Sequence, residues 1–160
     1  GGKRIGLVWA GNPSHQNDRN RSMRLDEFAP LFRHQGVTFF GLQKGEAAVE
    51  AETPPAGAPF VNLSSEIADF ADTAAIVARL DLLISVDTSV VHLAGALARP
   101  VWMMLPVAPD WRWQLGRTDS CWYPTLRLFR QGRKRKWARA VEDVARELAV
   151  LAAQRAEQRG

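Results

Sequence analysis

The chain has 160 residues, of which 46% are hydrophobic and 24% are charged, and its formal net charge is +4. This composition predicts one globular domain, residues 1–160, with a substantial core, and it excludes a disordered chain. Neither a membrane-spanning apolar run nor a secretory signal is recognisable in the sequence.

Cysteine usage limits the chemistry further. Cys121 is the single cysteine of the chain, so no internal disulfide can form. A reducing compartment is expected, and hence a cytoplasmic protein. Cysteine and histidine also do not occur at the spacing of a zinc site. We therefore expect no metal and no cofactor.

Strand-like and helix-like segments alternate along the chain. The strand-like segments are short and apolar, and they comprise residues 3–11, 37–45, 60–65, 81–87, 101–106 and 126–131. The helix-like segments comprise residues 25–36, 46–52, 73–80, 90–98 and 137–158. Asp72 or Thr73 is the expected N-cap of the third helix. Gly95 lies inside the fourth helix, where glycine lowers helix propensity, and it predicts close packing against the backbone.

Alternation of nearly continuous apolar strands with helices is typical of a parallel sheet that is covered on both faces. Right-handed crossovers then give a Rossmann-like, three-layer α/β/α domain with a mostly parallel sheet of about six strands. In such sheets, ligands bind beyond the carboxyl ends of the strands. The polar residues that follow the predicted strands are Asn12, His15, Arg19, Arg21, Ser22, Gln43, Lys44, Asp87, Thr88, Ser89, His92, Asp110 and Trp111.

The segment DTSVVH, residues 87–92, carries the clearest signal for a ligand. A helix N-terminus binds anions through its backbone amides and its dipole, and the hydroxyls of Thr88 and Ser89 can add hydrogen bonds. His92 lies in the first helical turn and can reach the same anion. The alternative is an ordinary N-cap with a packed histidine beside it.

Each remaining candidate also has two interpretations. Lys44 is either a phosphate contact or a solvated lysine in a turn. The loop with Arg19 and Arg21 lacks both a GxGxxG and a GxxxxGK[ST] motif, which argues against an ordinary dinucleotide site and a P-loop ATPase. Its arginines either clamp phosphate or lie on the surface, and Trp111 either walls a pocket or packs in the core.

A basic run over residues 130–139 raises a different function, nucleic-acid binding. The run lacks the interleaved aromatic side chains on which single-stranded bases stack. Nucleic acid is therefore not the expected partner.

The stretch DTSVVHLAGALARPVW, placed after a strand, resembles glycosyltransferase family 9, the ADP-heptose:lipopolysaccharide heptosyltransferases. A closer resemblance is to the heptosyltransferase-like domain at the C-terminus of bacterial tetratricopeptide-repeat proteins, which also have counterparts of GLVWAGNPSHQNDRNRS, LQKG and PDWRW…WYPTLRLFRQ. The resemblance implies one half of a GT-B fold that binds a nucleoside-diphosphate sugar. Ser89 stands where the heptosyltransferases have glycine, which leaves the identity of the sugar open.

The resemblance also implies roles for individual residues. It assigns the donor phosphates and sugar to Asp87, Thr88, Ser89 and His92, and it matches Lys44 to a basic residue of the repeat-protein relatives. The acceptor site and the general base of an inverting transfer are expected on a missing N-terminal half, so this chain alone is expected to be inactive. The alternative is a non-catalytic nucleotide-sugar or phosphate-binding module in a repeat scaffold.

Overall fold

Six parallel strands form the centre of the protein in the order β3-β2-β1-β4-β5-β6. The computed structural model describes residues 2–11, 21–106, 123–132 and 136–157. The strands are β1 (Lys3–Val8), β2 (Val37–Gly41), β3 (Phe60–Asn62), β4 (Leu82–Val86), β5 (Val101–Leu105) and β6 (Leu126–Arg130). Every neighbouring pair of strands is parallel, which confirms the predicted Rossmann-like sheet.

Three α-helices and three 3₁₀ helices that lie wholly within the described ranges connect or follow the strands. The α-helices are α1 (Phe70–Val77), α2 (Ser89–Ala96) and α3 (Ala138–Glu157), and the 3₁₀ helices are Leu25–Arg33, Glu46–Glu52 and Ser64–Glu66. The helix predicted over residues 25–36 is thus a 3₁₀ helix with Pro30 inside it. Proline has no amide to donate and crowds the preceding turn, so a regular α-helix is disfavoured there.

Helix α1 begins earlier than the sequence predicts, so the prediction of Asp72 or Thr73 as its N-cap is wrong. The N-cap is Asp69, whose carboxylate accepts a hydrogen bond from the Asp72 amide at 2.9 Å. The Asp72 carboxylate in turn accepts one from the Ala68 amide at 2.8 Å. This reciprocal pair resembles a capping box and stabilises the added turn.

The sheet is covered on both faces, which gives the three layers. One face packs against α3 and the 3₁₀ helix Leu25–Arg33, and the other packs against α1 and α2. An apolar stripe along α3 contacts the first face through Val141, Val144 and Leu148, and Trp137, just before the helix, joins the same core. Among the described residues, no helix is both long enough and apolar enough to cross a membrane.

The direction of chain winding reverses between β1 and β4. The chain moves outward from β1 through β2 to β3, and it then returns to place β4 on the other side of β1. Val8 and Ser85 are register partners there, so the segments that follow β1 and β4 leave the sheet side by side. A reversal of this kind opens a crevice at the carboxyl edge of the sheet, where open α/β proteins bind ligands.

Candidate functional site

Several predicted site residues surround this reversal of the strand order. Arg21, Ser22, Gln43, Lys44, Asp87, Thr88, Ser89 and His92 can be placed in the structure. Asn12, His15, Arg19, Asp110 and Trp111 lie outside the described residues. The loops after β1, β2 and β4 therefore supply the residues whose geometry can be examined.

Two hydrogen bonds close the base of the loop that follows β1. The Gly11 amide donates to the Ser22 hydroxyl at 2.9 Å, and the Met23 amide donates to the Trp9 carbonyl at 2.7 Å. The chain therefore leaves β1 and returns to it at nearly the same point. Ser22 serves here as a structural acceptor at the base of the loop.

Arg21 connects this loop base to the segment that precedes α2. Its guanidinium Nη1 donates to the Asp87 carbonyl oxygen at 3.1 Å. The same guanidinium packs on Gly11 so closely that a Cβ there would lie 2.6 Å from it. The side chain thus spans the gap between β1 and β4 and brings a positive charge next to the start of α2.

Gln43 fixes the ends of β1 and β2 to each other. Only 3% of the residue is exposed. Its Oε1 accepts from the amides of Trp9 and Ala10, both at 2.9 Å, and its Nε2 donates to the carbonyls of Ala10 at 2.9 Å and Lys44 at 3.1 Å. Both ends of the amide therefore serve the backbone, which gives Gln43 a structural role beneath the crevice.

Glu50 braces the same strand end and was not identified from the sequence. Its carboxylate accepts from the Trp9 indole at 3.2 Å and from the Leu25 amide at 3.0 Å. The Trp9 indole also lies 3.3 Å from the carbonyl of Ala47. The signal that could have found it is the fully buried tryptophan at the end of β1, because a buried indole N–H requires an acceptor.

Lys44 is exposed and lies on the β3 side of the crevice. Its ammonium donates to the Ser64 carbonyl at 2.9 Å, and the Ser64 hydroxyl donates to the Gln43 carbonyl at 2.6 Å. Because β2 and β4 are separated by β1, two strand spacings, or roughly 10 Å, separate the two strands. The structure therefore does not join Lys44 directly to the β4–α2 segment.

The start of α2 matches the predicted boundary. Thr88 is the N-cap in an extended conformation, and Ser89 is the first helical residue. The Thr88 side chain makes no capping hydrogen bond, and its hydroxyl lies 3.3 Å from that of Ser85. The amides of the first turn are therefore not capped by this side chain, and this end of the helix retains its preference for an anion.

His92 is held by a residue that the sequence did not point to, Tyr123. His92 Nδ1 lies 3.2 Å from the Tyr123 hydroxyl, and the two rings meet edge to face with centroids 5.8 Å apart. The Tyr123 ring covers Gly95, where a Cβ would lie 2.5 Å from the ring. This contact confirms the predicted close packing at Gly95, although the partner is an aromatic ring and not backbone.

Three cationic side chains lie at this edge, together with the carboxylates of Asp87 and Glu50. Arg21 and Lys44 follow β1 and β2, and Arg130 ends β6, where burial lowers the pKa of its guanidinium. An arginine remains charged in proteins despite such a shift. Within the described part of the chain, no three histidine, cysteine, aspartate or glutamate side chains are grouped to hold a metal ion. The arrangement is suited chemically to a negatively charged ligand.

A family model described as glycosyltransferase family 9 (heptosyltransferase) matches residues 24–104. The match covers just over half of the chain and runs from the 3₁₀ helix Leu25–Arg33 to β5. It contains Gln43, Lys44 and the whole segment from Asp87 to His92, and it excludes the loop after β1.

Solved structures share the fold over nearly the whole chain. E. coli ADP-heptose lps heptosyltransferase II aligns with a TM-score of 0.65 and 18% identity over 96% of this chain and 47% of its own. E. coli heptosyltransferase WaaC with ADP aligns with a TM-score of 0.64 and 18% identity over 95% of this chain and 46% of its own.

A curated relative, protein FlbA of Caulobacter vibrioides, is 29% identical over 161 aligned residues. The alignment covers 95% of this chain and 26% of FlbA. The chain therefore spans about a quarter of FlbA and about half of each heptosyltransferase.

Proposed function

The chain belongs to glycosyltransferase family 9, the heptosyltransferases, and on that premise we propose that it is the donor-binding domain of a glycosyltransferase. The donor is a nucleoside-diphosphate sugar, and its diphosphate lies in the crevice between the ends of β1 and β4. The sugar is transferred to an acceptor that other parts of the parent protein bind.

The observation that carries this proposal is the position of Arg21 beside the start of α2. Its guanidinium donates to the Asp87 carbonyl, so a cation lies next to the first turn of a helix that the Thr88 side chain does not cap. Guanidinium groups bind phosphate through paired, charge-assisted hydrogen bonds, and helix N-termini bind it through amides and dipole. Together they supply two independent attractions for one diphosphate.

The same groups also promote the transfer step, because they stabilise the leaving diphosphate. When the bond between the anomeric carbon and the diphosphate oxygen breaks, negative charge grows on the leaving diphosphate. In this proposal, Arg21 and the amides of α2 face the leaving diphosphate, so they stabilise the transition state more than the ground state. Lys44 contributes a second cation from the β2 side. Its ammonium leaves the neutral Ser64 carbonyl and binds an oxygen of the sugar nucleotide instead. Inversion follows if the acceptor attacks from the opposite face of the sugar.

The proposal is tested by calorimetry of the chain against ADP, UDP, GDP and their sugar conjugates. We expect one nucleotide to bind with one-to-one stoichiometry. Arg21→Gln is expected to weaken that binding by about 10- to 100-fold, because a hydrogen bond to a charged group contributes roughly 1.5–3 kcal/mol.

The matched control is Arg79→Gln. Arg79 is exposed and follows the end of α1, which places it at the opposite, amino edge of the sheet. Its variant should bind as the wild type does. Equal affinity of Arg21→Gln and Arg79→Gln for the bound nucleotide would contradict the proposed site, and so would an absence of binding across the panel.

A further inference from the structure

Ser85 places a hydroxyl in β4, a strand that is otherwise apolar and buried along its whole length. None of its surface is exposed. Its hydroxyl donates to the Val86 carbonyl at 2.7 Å and lies 3.3 Å from the Thr88 hydroxyl. A serine hydroxyl carries one proton, and here that proton is used on Val86, so Ser85 Oγ accepts in the second contact. The Thr88 hydroxyl is therefore the donor of that contact.

This contact draws Thr88 away from the usual role of a threonine at its position. Thr88 is the N-cap of α2, and the hydroxyl of an N-cap threonine ordinarily accepts from the second or third amide of the helix. The third amide, that of Val91, donates to the Thr88 carbonyl at 3.1 Å. The Thr88 side chain makes no capping hydrogen bond. The second amide, that of Val90, is therefore left uncapped by a hydroxyl that is bound to Ser85.

We propose that Ser85 is a positioning residue that holds the Thr88 hydroxyl off the first turn of α2 and so keeps that turn open for the donor diphosphate. This inference deepens the proposed function and rests on it. If Thr88 capped Val90, that hydrogen bond would have to break before a phosphate oxygen could bind the same amide. A cap of typical strength shifts an equilibrium by about fivefold, so the contact with Ser85 favours donor binding by a similar factor.

Amide hydrogen exchange of the chain without nucleotide, followed by nuclear magnetic resonance, tests where the Thr88 hydroxyl is bound. Ser85→Ala removes the acceptor, so the hydroxyl should turn to the Val90 amide and slow its exchange by about fivefold relative to the wild type. Thr88→Val keeps the shape of the side chain without its hydroxyl, and Ser85→Ala should cause no slowing in that background. Loosening of the fold by the substitution would speed the exchange of Val90, so slower exchange is specific to the new cap.

A double-mutant cycle then tests whether Ser85 acts on binding through Thr88. With the nucleotide identified by calorimetry, Ser85→Ala should weaken binding by about fivefold in the wild type and cause no further loss in the Thr88→Val background. The matched control is Thr73→Val, which removes a buried hydroxyl that donates to the Asp69 carbonyl in α1. It should change neither the exchange of Val90 nor the affinity. Thermal unfolding of each variant verifies that the chain remains folded.

The outcomes separate this inference from the proposed function. Exchange of the Val90 amide that does not slow in Ser85→Ala would overturn the role of Ser85. A loss of affinity from Ser85→Ala that persists in the Thr88→Val background would overturn it as well. The expected exchange rates without binding of any nucleotide would instead overturn the donor site, and with it the use proposed for the open turn.

Discussion

At the scale of single residues, Gln43 explains why the crevice has a defined shape. A neutral amide has both donors and an acceptor, so one buried side chain satisfies the amides of Trp9 and Ala10 and two carbonyls. A charged or purely accepting side chain could not do this without leaving a buried group unpaired. The strand end that supports the first loop therefore depends on an amide at this position.

Replacement of this amide should be costly. Gln43→Leu leaves the amides of Trp9 and Ala10 without their acceptor, and we expect the free energy of unfolding to fall by about 2–4 kcal/mol. Urea denaturation measures the change. Gln35→Leu is the matched control, since Gln35 is exposed and its replacement should change stability by less than about 0.5 kcal/mol. Equal effects of the two substitutions would show that the Gln43 hydrogen bonds contribute little.

Gly11 allows a test of Arg21 that leaves the charge in place. A Cβ at Gly11 would lie 2.6 Å from the guanidinium, which is the mobile end of a long side chain and can move at small cost. We expect Gly11→Ala to destabilise the protein by about 1 kcal/mol, the lower end of the cost of overpacking, while displacing Arg21 from the Asp87 carbonyl. Nucleotide affinity should then fall as far as in Arg21→Gln, and calorimetry of both variants compares them. Unchanged affinity would mean that nucleotide binding does not depend on the position of the Arg21 guanidinium against the Asp87 carbonyl.

At the scale of elements, α2 balances helix propensity against packing. Gly95 disfavours the helix by about 1 kcal/mol relative to alanine, yet the Tyr123 ring occupies the space that a Cβ would need. Unlike the Arg21 guanidinium, the contacted ring atoms are close to the tyrosine backbone and cannot swing aside. Glycine at this position therefore lowers the helix propensity of α2 but leaves room for the Tyr123 ring to pack.

This balance predicts that one substitution changes sign with its background. Gly95→Ala should destabilise the wild type by about 1–3 kcal/mol, because the clash exceeds the gain in helix propensity. In a Tyr123→Ala background, where the ring is absent, the same substitution should stabilise the protein by up to about 1 kcal/mol. Thermal or urea unfolding of the four proteins measures both effects. Destabilisation of similar size in both backgrounds would show that another neighbour opposes the methyl group.

At the scale of the whole molecule, the sheet could be predicted and much of the site could not. Continuous apolar strands such as β4 and the stripe on α3 are local patterns, and the fold places them as those patterns indicate. The contacts of Gln43, Arg21 and His92 join residues 31 to 66 positions apart. Such partners depend on the strand order and on which loops meet at the reversal, and neither is encoded in any local pattern.

The span of the chain leads to a prediction about catalysis. It aligns with 47% and 46% of the two E. coli heptosyltransferases, so the proposed donor domain lacks a counterpart to the rest of those enzymes. Among the described residues at the carboxyl edge, the carboxylate of Glu50 is already bound to Trp9 and Leu25 and is a poor candidate for a general base. We therefore propose that acceptor binding and proton removal are supplied from outside this domain.

We accordingly expect the isolated chain to bind the donor without transferring its sugar. The isolated chain should release nucleoside diphosphate from the bound sugar nucleotide no faster than its Arg21→Gln variant does. A general base typically accelerates such a reaction 10²- to 10⁴-fold, and an acceptor must also be oriented beside the sugar. The parent protein, assayed in parallel, should release it faster, and Arg21→Gln should slow that release. Release by the isolated chain that depends on Arg21 would contradict the assignment, because the complete catalytic machinery would then lie within these 160 residues.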